Sequence, residues 1–404
     1  MTFALEPEGA AVLAEVAELV GSYGREEILA LRAEVETLGA ERHAESFHRE
    51  LAKRNLLAIG LPEPWGRSAG PTERYALHEA LDAAGLPTYS LELNETMAGM
   101  IARRGRPELV AEHLPKLLAG EWTYAGGYSE PEAGSDLLAL RTRAVREGEE
   151  YVVTGTKLWT SSAHLADWIV TIVRTDPESQ RHRGLSILVI DAKAPGVTID
   201  AVPVVGGWRV NAVSFDQVRV PASHLLGEEN RGWAVLSQAL TDERTMSFGG
   251  RESRLLLARL IHRWAATQED VDDVRAEALG DLVVELEIER LLNLRAAALG
   301  ERGEDAAAEA SISKVFGSEL AQRTAEWVDA VLSTDVDKGC HPLSTDVDKG
   351  CHPLSTSTGA GPAADPLIAD AGQALRTSTA FTIIGGTSEV QRNVVADRGL
   401  GLPR

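Results

Sequence analysis

Residues 147–174 read Glu-Gly-Glu-Glu-Tyr-Val-Val-Thr-Gly-Thr-Lys-Leu-Trp-Thr-Ser-Ser-Ala-His-Leu-Ala-Asp-Trp-Ile-Val-Thr-Ile-Val-Arg. Two runs in this stretch, Tyr151-Val152-Val153 and Trp168 to Arg174, are rich in the β-branched and aromatic residues that fit a pleated sheet. Glu147-Gly148-Glu149 and Thr154-Gly155 have the composition of hairpin connections. Leu185 to Ile190, Val197 to Val204 and Val213 to Val220 continue the pattern, so short strands occupy the middle of the chain.

Both flanks are helical in grammar. Between Gly9 and Leu61 apolar residues recur at three and four, as in Val12, Val16, Leu19, Val20 and again in Ile28, Leu31, Val35, Leu38. Pro62, Pro64, Gly66, Gly70 and Pro71 interrupt, and helical pattern resumes from Glu73 to Arg104 and from Pro107 to Leu118. It returns at Gly232 and holds to about Arg398. Helices, then strands, then helices predicts segregated modules and not alternating βαβ units. The expected fold is α+β, mostly α: a helical N-terminal domain over 1–120, a β-barrel-like middle domain over 121–231 and a C-terminal four-helix bundle over 232–404.

The chain has 404 residues, 40 Lys+Arg and 61 Asp+Glu, for a net charge of 40 − 61 = −21. So acidic a surface lacks the counterion-release term that drives nucleic-acid binding. No run of apolar residues is long enough to span a bilayer, and the first ten residues lack the basic flank of a signal peptide. These features predict a soluble, cytoplasmic protein without nucleic-acid or membrane partners. No Gly-x-Gly-x-x-Gly follows a strand and no P-loop is present, so a nucleotide cofactor would need another device.

The two cysteines fall in a duplication. Leu332 to Pro342 reads Leu-Ser-Thr-Asp-Val-Asp-Lys-Gly-Cys-His-Pro, Leu343 to Pro353 repeats it, and Leu-Ser-Thr follows again. Cys340-His341 and Cys351-His352 could be drawn as a four-ligand metal site. Identical adjacent copies rich in Ser, Thr, Asp, Gly and Pro read better as an inert, disordered insertion over 332–362, and no metal site is assigned.

Two stretches carry candidate chemistry. Tyr128-Ser129-Glu130-Pro131-Glu132-Ala133-Gly134-Ser135-Asp136 is a bent, small-polar segment whose hydroxyls and backbone N–H groups could meet carbonyl or phosphate oxygens, or it is a plain surface turn. Lys157-Leu158-Trp159-Thr160-Ser161-Ser162 sets an indole beside three hydroxyls. That suits a flat, heteroatom-rich ligand, or marks a core Trp ending a strand.

With Gly155-Thr156-Lys157-x-Trp159-Thr160-Ser161, Val213-Ser214-Phe215-Asp216-x-Val218-Arg219-Val220-Pro221, Gly227-Glu228-Glu229-Asn230-Arg231-Gly232-Trp233 and Gly385-Gly386-Thr387-Ser388-Glu389-Val390-Gln391-Arg392, these motifs resemble the acyl-CoA dehydrogenase family, in the family's order and over nearly the whole chain. The resemblance implies FAD as cofactor, an acyl-CoA substrate, α,β-desaturation, and reoxidation by an electron-transferring flavoprotein or other acceptor. It places Tyr128, Ser129, Trp159, Ser161, Thr387 and Glu389 against the flavin, and Ser135 and Arg244 against the substrate. Basic candidates for the CoA phosphates are Arg181, His182 and Arg183, or Arg103, Arg104 and Arg106, each of which also reads as a solvated turn.

The sequence departs from the family at the base. Many members carry a Glu immediately before the Gly-Thr of the last motif, where this chain has Gly385, which cannot remove a proton but keeps a backbone N–H for the substrate carbonyl. A second family solution puts the Glu on the first long bundle helix, in a context matched by Leu240-Thr241-Asp242-Glu243-Arg244. Leu236, Leu240, Glu243, Ser247 and Gly250 share one helical stripe, and the neighbours of Glu243 at three and four (Ala239, Leu240, Met246, Ser247) include no base. An inward carboxylate without a cation beside it is expected to have a raised pKa, as a general base near neutrality needs. Gly249-Gly250 would be costly in a helix interior unless something large packs there.

The Gln-x-x-Gly-Gly-x-Gly and Arg-x-x-Phe-Gly segments by which many homotetrameric members complete a neighbour's FAD site are absent. Lys157-x-Trp159-Thr160-Ser161, Asp242-Glu243-Arg244 and the ending Arg398-Gly-Leu-Gly-Leu-Pro-Arg404 resemble the actinobacterial subgroup of α2β2 heterotetramers that act on steroid side-chain CoA esters. A homo- or heterotetramer with a related subunit is therefore expected, this chain bearing the base. The alternatives are a non-catalytic partner subunit, or a same-fold oxidase, hydroxylase or carrier-protein-linked desaturase.

Overall fold

The computed structural model describes residues 7–24, 26–31, 45–179, 181–205, 209–244, 250–268, 271–335 and 366–403. The helical domain comprises α1 (Pro7–Gly21), α2 (Glu45–Lys53), α3 (Pro71–Ala83), α4 (Tyr89–Arg104) and α5 (Pro107–Leu118). The stripe read in α1 is its buried face: Val12, Val16 and Leu19 pack with Phe47, Leu51, Leu77 and Leu81. The helical pattern from Glu73 to Arg104 divides into two helices at Ala84-Gly85-Leu86-Pro87, where Gly85 takes a left-handed φ of 76° and Pro87 lacks the N–H to continue a helix.

The middle domain is one eight-stranded sheet: β1 (Tyr124–Gly127), β2 (Arg143–Glu147), β3 (Glu150–Ser161), β4 (Trp168–Arg174), β5 (Leu185–Asp191), β6 (Val197–Pro203), β7 (Arg209–Pro221) and β8 (Leu225–Leu226). Its order is β6-β7-β3-β2-β4-β5-β8, with β1 parallel on β4. The strands do not close into a barrel, which corrects the barrel-like expectation: β6 and β8 remain the two edges. Thr154-Gly155 is also no hairpin. It lies within β3, where the register slips between Val153 and Gly155 and Gly155 passes so close to Thr142 that a Cβ would sit 2.5 Å from its hydroxyl. Local composition cannot separate a bulge from a turn, because both use Gly for the same conformational freedom.

The apolar runs of β4 and β5 are continuous because both faces are covered. Val170, Ile172, Ile187 and Val189 pack with Met97, Ile101, Leu114 and Leu117 of the helical domain, whereas Ile169, Val173, Leu188 and Ile190 pack with Tyr151, Val213 and Phe215 across the sheet. Each such side chain contributes roughly 1.5–3 kcal/mol on burial.

After the sheet come α6 (Gly232–Arg244), α7 (Gly250–Thr267), α8 (Asp273–Glu301), α9 (Ala307–Asp335), α10 (Pro366–Phe381) and α11 (Ser388–Val394). Helices α7 to α10 form the four-helix bundle around Leu257, Leu260, Leu286, Leu320, Val328 and Ala371. The first residues of the duplication are not an inert loop: α9 runs to Asp335, and Leu332 is buried in the bundle core. Both Cys-His pairs lie outside the described residues. No described helix is long and apolar enough to cross a membrane.

Ion pairs tie the modules together. Arg251 of α7 contacts Asp82, Thr88 and the Leu86 carbonyl of the helical domain, and Arg290 of α8 reaches Glu79 at 2.6 Å. Within the helical domain, buried Glu95 on α4 meets Arg74 at 2.6 Å and His78 at 3.1 Å, both on α3. Burial opposes its charge, but the Arg74 guanidinium and His78 hold its carboxyl down to about 2. The folded value lies below the ordinary 4.5, so the stabilisation is complete above that pH and is lost as pH falls toward 2. Glu95→Gln is expected to flatten the acid limb of unfolding free energy across this window, measured by urea denaturation against pH.

Candidate active site

The site begins where β1 ends. Gly126 and Gly127 bring this strand close to its surroundings: a Cβ would sit 2.9 Å from the Tyr128 ring at the first and 2.9 Å from the Thr171 hydroxyl at the second. Tyr128 and Ser129 follow, half-buried. The Glu130 and Ala133 backbones then exchange hydrogen bonds at 2.9 and 3.1 Å, closing a turn around Pro131. The Leu158 N–H donates to the Ser129 carbonyl at 2.8 Å and fastens this turn to β3.

Beneath it lies a buried ion pair. Lys157 Nζ, with no exposed surface, is 2.8 Å from Glu130 Oε1 and 3.0 Å from the Tyr128 carbonyl oxygen. Glu130 also accepts from the backbone N–H groups of Arg141 at 2.6 Å and Thr142 at 2.9 Å. Burial opposes the Glu130 charge, yet Lys157 and the Thr142 and Arg141 donors hold its carboxyl below the usual range. At Lys157 burial outweighs the partner and brings the ammonium down to about 8, so both groups are ionised at neutral pH.

Trp159 is not a core residue. It has a left-handed φ of 63° and is 54% exposed. The register explains this: β3 advances three residues from Lys157 to Thr160 while β7 advances two, from Val213 to Asn211, so the strand carries one extra residue. A bulky side chain at positive φ is strained and persists only where the surroundings hold it. Here flanking Lys157 and Thr160 are buried, which leaves the indole outside with Ser161 two residues on.

The second group of predicted residues gathers at the start of α11. Gly385 and Gly386 have φ values of 65° and 90°, and the Thr387 hydroxyl caps the helix by accepting from the Val390 N–H at 3.2 Å. Glu389 is exposed, and its own backbone N–H and the Thr387 hydroxyl hold its carboxyl below the usual range. Gln391, fully buried, donates to the carbonyls of Gly385 and Gly386 at 3.0 and 3.2 Å and accepts from the Ser311 hydroxyl at 2.8 Å. Gln391→Leu would take the amide from the part-buried Gly385 and Gly386 carbonyls and from the buried Ser311 hydroxyl, at about 1–3 kcal/mol for a buried group left unsatisfied. The expected results are a lower thermal midpoint and faster hydrogen exchange at residues 385–387.

A cleft of about 1250 Å³ runs between the modules, lined by Leu138, Arg181 and His182 from the sheet domain, Trp233 and Gln238 on α6, and Val390 and Asn393 on α11. Arg174 shapes its rim by donating to the carbonyls of Leu138 at 3.0 Å and Leu140 at 3.3 Å, and to those of Ser179, Arg181 and Arg183 in the β4–β5 connection. Ser135 is exposed. Glu243 and Arg244 are on α6, with side chains outside the described residues. The inward face of that helix is set by buried Val235, Leu236 and Ala239. Close packing at Gly250 is confirmed: a Cβ there would lie 2.4 Å from Glu289 Oε2.

Lys157, Glu130, Gln391 and Arg174 hold the site without having been singled out as positioning residues. For Lys157, Glu130 and Gln391 the signal is a charged or amide side chain inside a motif rich in small residues, and for Arg174 a charge at the end of an apolar strand.

Three modules meet around the cleft, and the indole of Trp159 is presented outward with Ser161 two residues on. Family models described as the acyl-CoA dehydrogenase N-terminal, middle and C-terminal domains match residues 13–121, 125–218 and 230–334. Acyl-CoA dehydrogenase FadE29 of Mycobacterium tuberculosis is 33% identical over 90% of each chain. Among solved structures, the Tcur3481-Tcur3483 steroid ACAD superposes with a TM-score of 0.83 at 29% identity, covering 100% of both chains. The ChsE4-ChsE5 complex from Mycobacterium tuberculosis gives 0.80 at 27%, again over 100% of both. The chain belongs to the acyl-CoA dehydrogenase family.

FAD is the cofactor this family implies. The residues present fit it: the half-exposed, strained Trp159 offers an aromatic face, and Tyr128 and Ser129 are fixed in place by the buried pair beneath them.

Proposed function

We propose that this chain desaturates an acyl-CoA thioester between its α and β carbons, and that it is the base-bearing subunit of a heteromeric assembly. The outward, strained indole of Trp159 is the observation that carries the reading, because a protein with no flat ligand to hold gains nothing from that strain. Tyr128, Ser129, Trp159 and Ser161 would hold the flavin from the sheet side, and Thr387 and Glu389 from α11. FAD, when bound, accepts the hydride that leaves the β-carbon.

The chain's own residues do the rest. Glu243 removes the α-proton. The α-C–H of a thioester is too weakly acidic for a carboxylate in water, so the growing charge on the carbonyl oxygen needs a donor; the Gly385 backbone N–H supplies one, on the loop that Gln391 holds. The CoA phosphates would be met by Arg181 and His182, which line the larger cleft, with Ser135 and Arg244 assigned to the substrate by the resemblance alone and backbone donors making up for the acidity of the chain. Similarity to a steroid ACAD and to a two-protein complex supports a bulky, steroid side-chain ester and a partner subunit.

The test is to purify the chain alone and with candidate partner subunits, record the flavin spectrum, and follow flavin bleaching by straight-chain and steroid side-chain CoA esters. A flavin spectrum with partner and bleaching by an ester is expected. Protein free of flavin in every pairing would overturn the reading and leave a non-catalytic subunit. Hydrogen peroxide or a hydroxylated product would point to an oxidase or hydroxylase.

A further inference from the structure

Away from this cleft, three side chains from two domains converge where α5 meets the sheet. Glu112 and His113 stand on α5, and His224 ends the one-turn helix Ala222–His224 after β7. One potential ligand atom from each lies within 4.8 Å of the others. His113 is completely buried; its Nδ1 is 3.0 Å from the Tyr124 hydroxyl and its Nε2 is buried with no hydrogen-bond partner. His224 Nδ1 is 3.0 Å from the Val189 carbonyl oxygen. That oxygen can only accept, so Nδ1 carries the proton and Nε2 keeps its lone pair. The rings of Trp122 and Trp168 wall the site at 5.1 and 4.3 Å from the His113 ring, and the two imidazoles meet edge to face at 5.2 Å.

No step of the proposed reaction uses these groups, and a buried polar atom without a partner costs roughly 1–3 kcal/mol. Metal-binding histidines fix their tautomer by engaging the second ring nitrogen with a carbonyl or similar group, which is how both rings are held here. We infer that Glu112, His113 and His224 bind a first-row divalent transition ion, zinc being well suited to two imidazoles and a carboxylate with one position left for water. Ligands about 2.1 Å from a tetrahedral ion lie roughly 3.4 Å apart, a closing movement that an exposed carboxylate can supply. Glu112 is that group. The ion staples the helical domain to the sheet beside β1, the strand that leads to Tyr128.

The test is calorimetric titration of Zn²⁺ into the full-length protein carrying Cys340→Ser and Cys351→Ser, which removes the thiolates of the duplication. One equivalent bound and a raised thermal midpoint are expected, and Co²⁺ should give the visible absorption of a four-coordinate site. His224→Gln and Glu112→Gln change side chains that are not fully buried, so both variants should fold, and each removes a ligand and should weaken zinc binding by more than about 100-fold, beyond what outer-sphere changes cost. No uptake by the parent protein, or uptake unchanged in both variants, overturns the proposal. Flavin content and ester-driven bleaching report on the dehydrogenase reading separately.

Discussion

Glu243→Gln is expected to leave FAD bound and to slow flavin reduction by an acyl-CoA by about 10²- to 10⁴-fold, the usual contribution of a positioned general base. Gln keeps the size of Glu and cannot take a proton, so binding and chemistry separate. The position follows from the register of α6: Leu236 and Ala239 are buried, and residue 243 stands seven and four places further on, continuing the same stripe. Gly385, the residue before the Gly-Thr of the last motif, has no side chain to share the task. Rapid-mixing measurements under anaerobic conditions would read the effect, and a near-normal reduction rate would exclude Glu243 as the base.

Lys157→Met should be the most damaging single change outside the catalytic groups. It leaves Glu130 buried without its cation, and breaking one side of a buried ion pair costs about 3–5 kcal/mol. It also unties the Tyr128 carbonyl, so the loop that presents Ser129 loses its anchor. Urea denaturation should show the loss of stability, and the purified variant should carry little flavin. Replacing both partners, Lys157→Met with Glu130→Gln, should restore part of the stability because no buried charge is then left alone. If the single variant is as stable as the parent, the pair is not what holds the loop. The acid dependence has a definite sign. The Glu130 carboxyl in the fold lies below the ordinary 4.5, so its contribution is complete above that pH and disappears as pH falls through the folded value.

Much of the fold was legible from local pattern. Strands β4 and β5 fell on their apolar runs, α5 on its predicted bounds and α1 on its apolar stripe, because period and composition are properties of neighbouring residues. Two of the misreadings have one cause. Thr154-Gly155 as a turn and Leu332 as part of an inert loop were decided by packing from distant segments, Thr142 against Gly155 and the bundle core around Leu332, whereas the break in the 73–104 stretch rests on Gly85 and Pro87 and was open to local reading. A free-standing sheet edge and a closed barrel share the same strand sequences, so closure could not be read either.

The sequence by itself determined the order of the modules, membership of the acyl-CoA dehydrogenase family and the helix that carries the candidate base, since motif and period are written in adjacent residues. Only the tertiary structure decided which polar side chains are partners. Lys157 and Glu130 lie 27 positions apart, Gln391 and Ser311 80 apart, and His113 and His224 come from different domains. Burial gives each of these groups its chemistry, through the charge it must neutralise or the lone pair it leaves open. Burial is set by which surfaces meet, and no stretch of a single strand or helix records that.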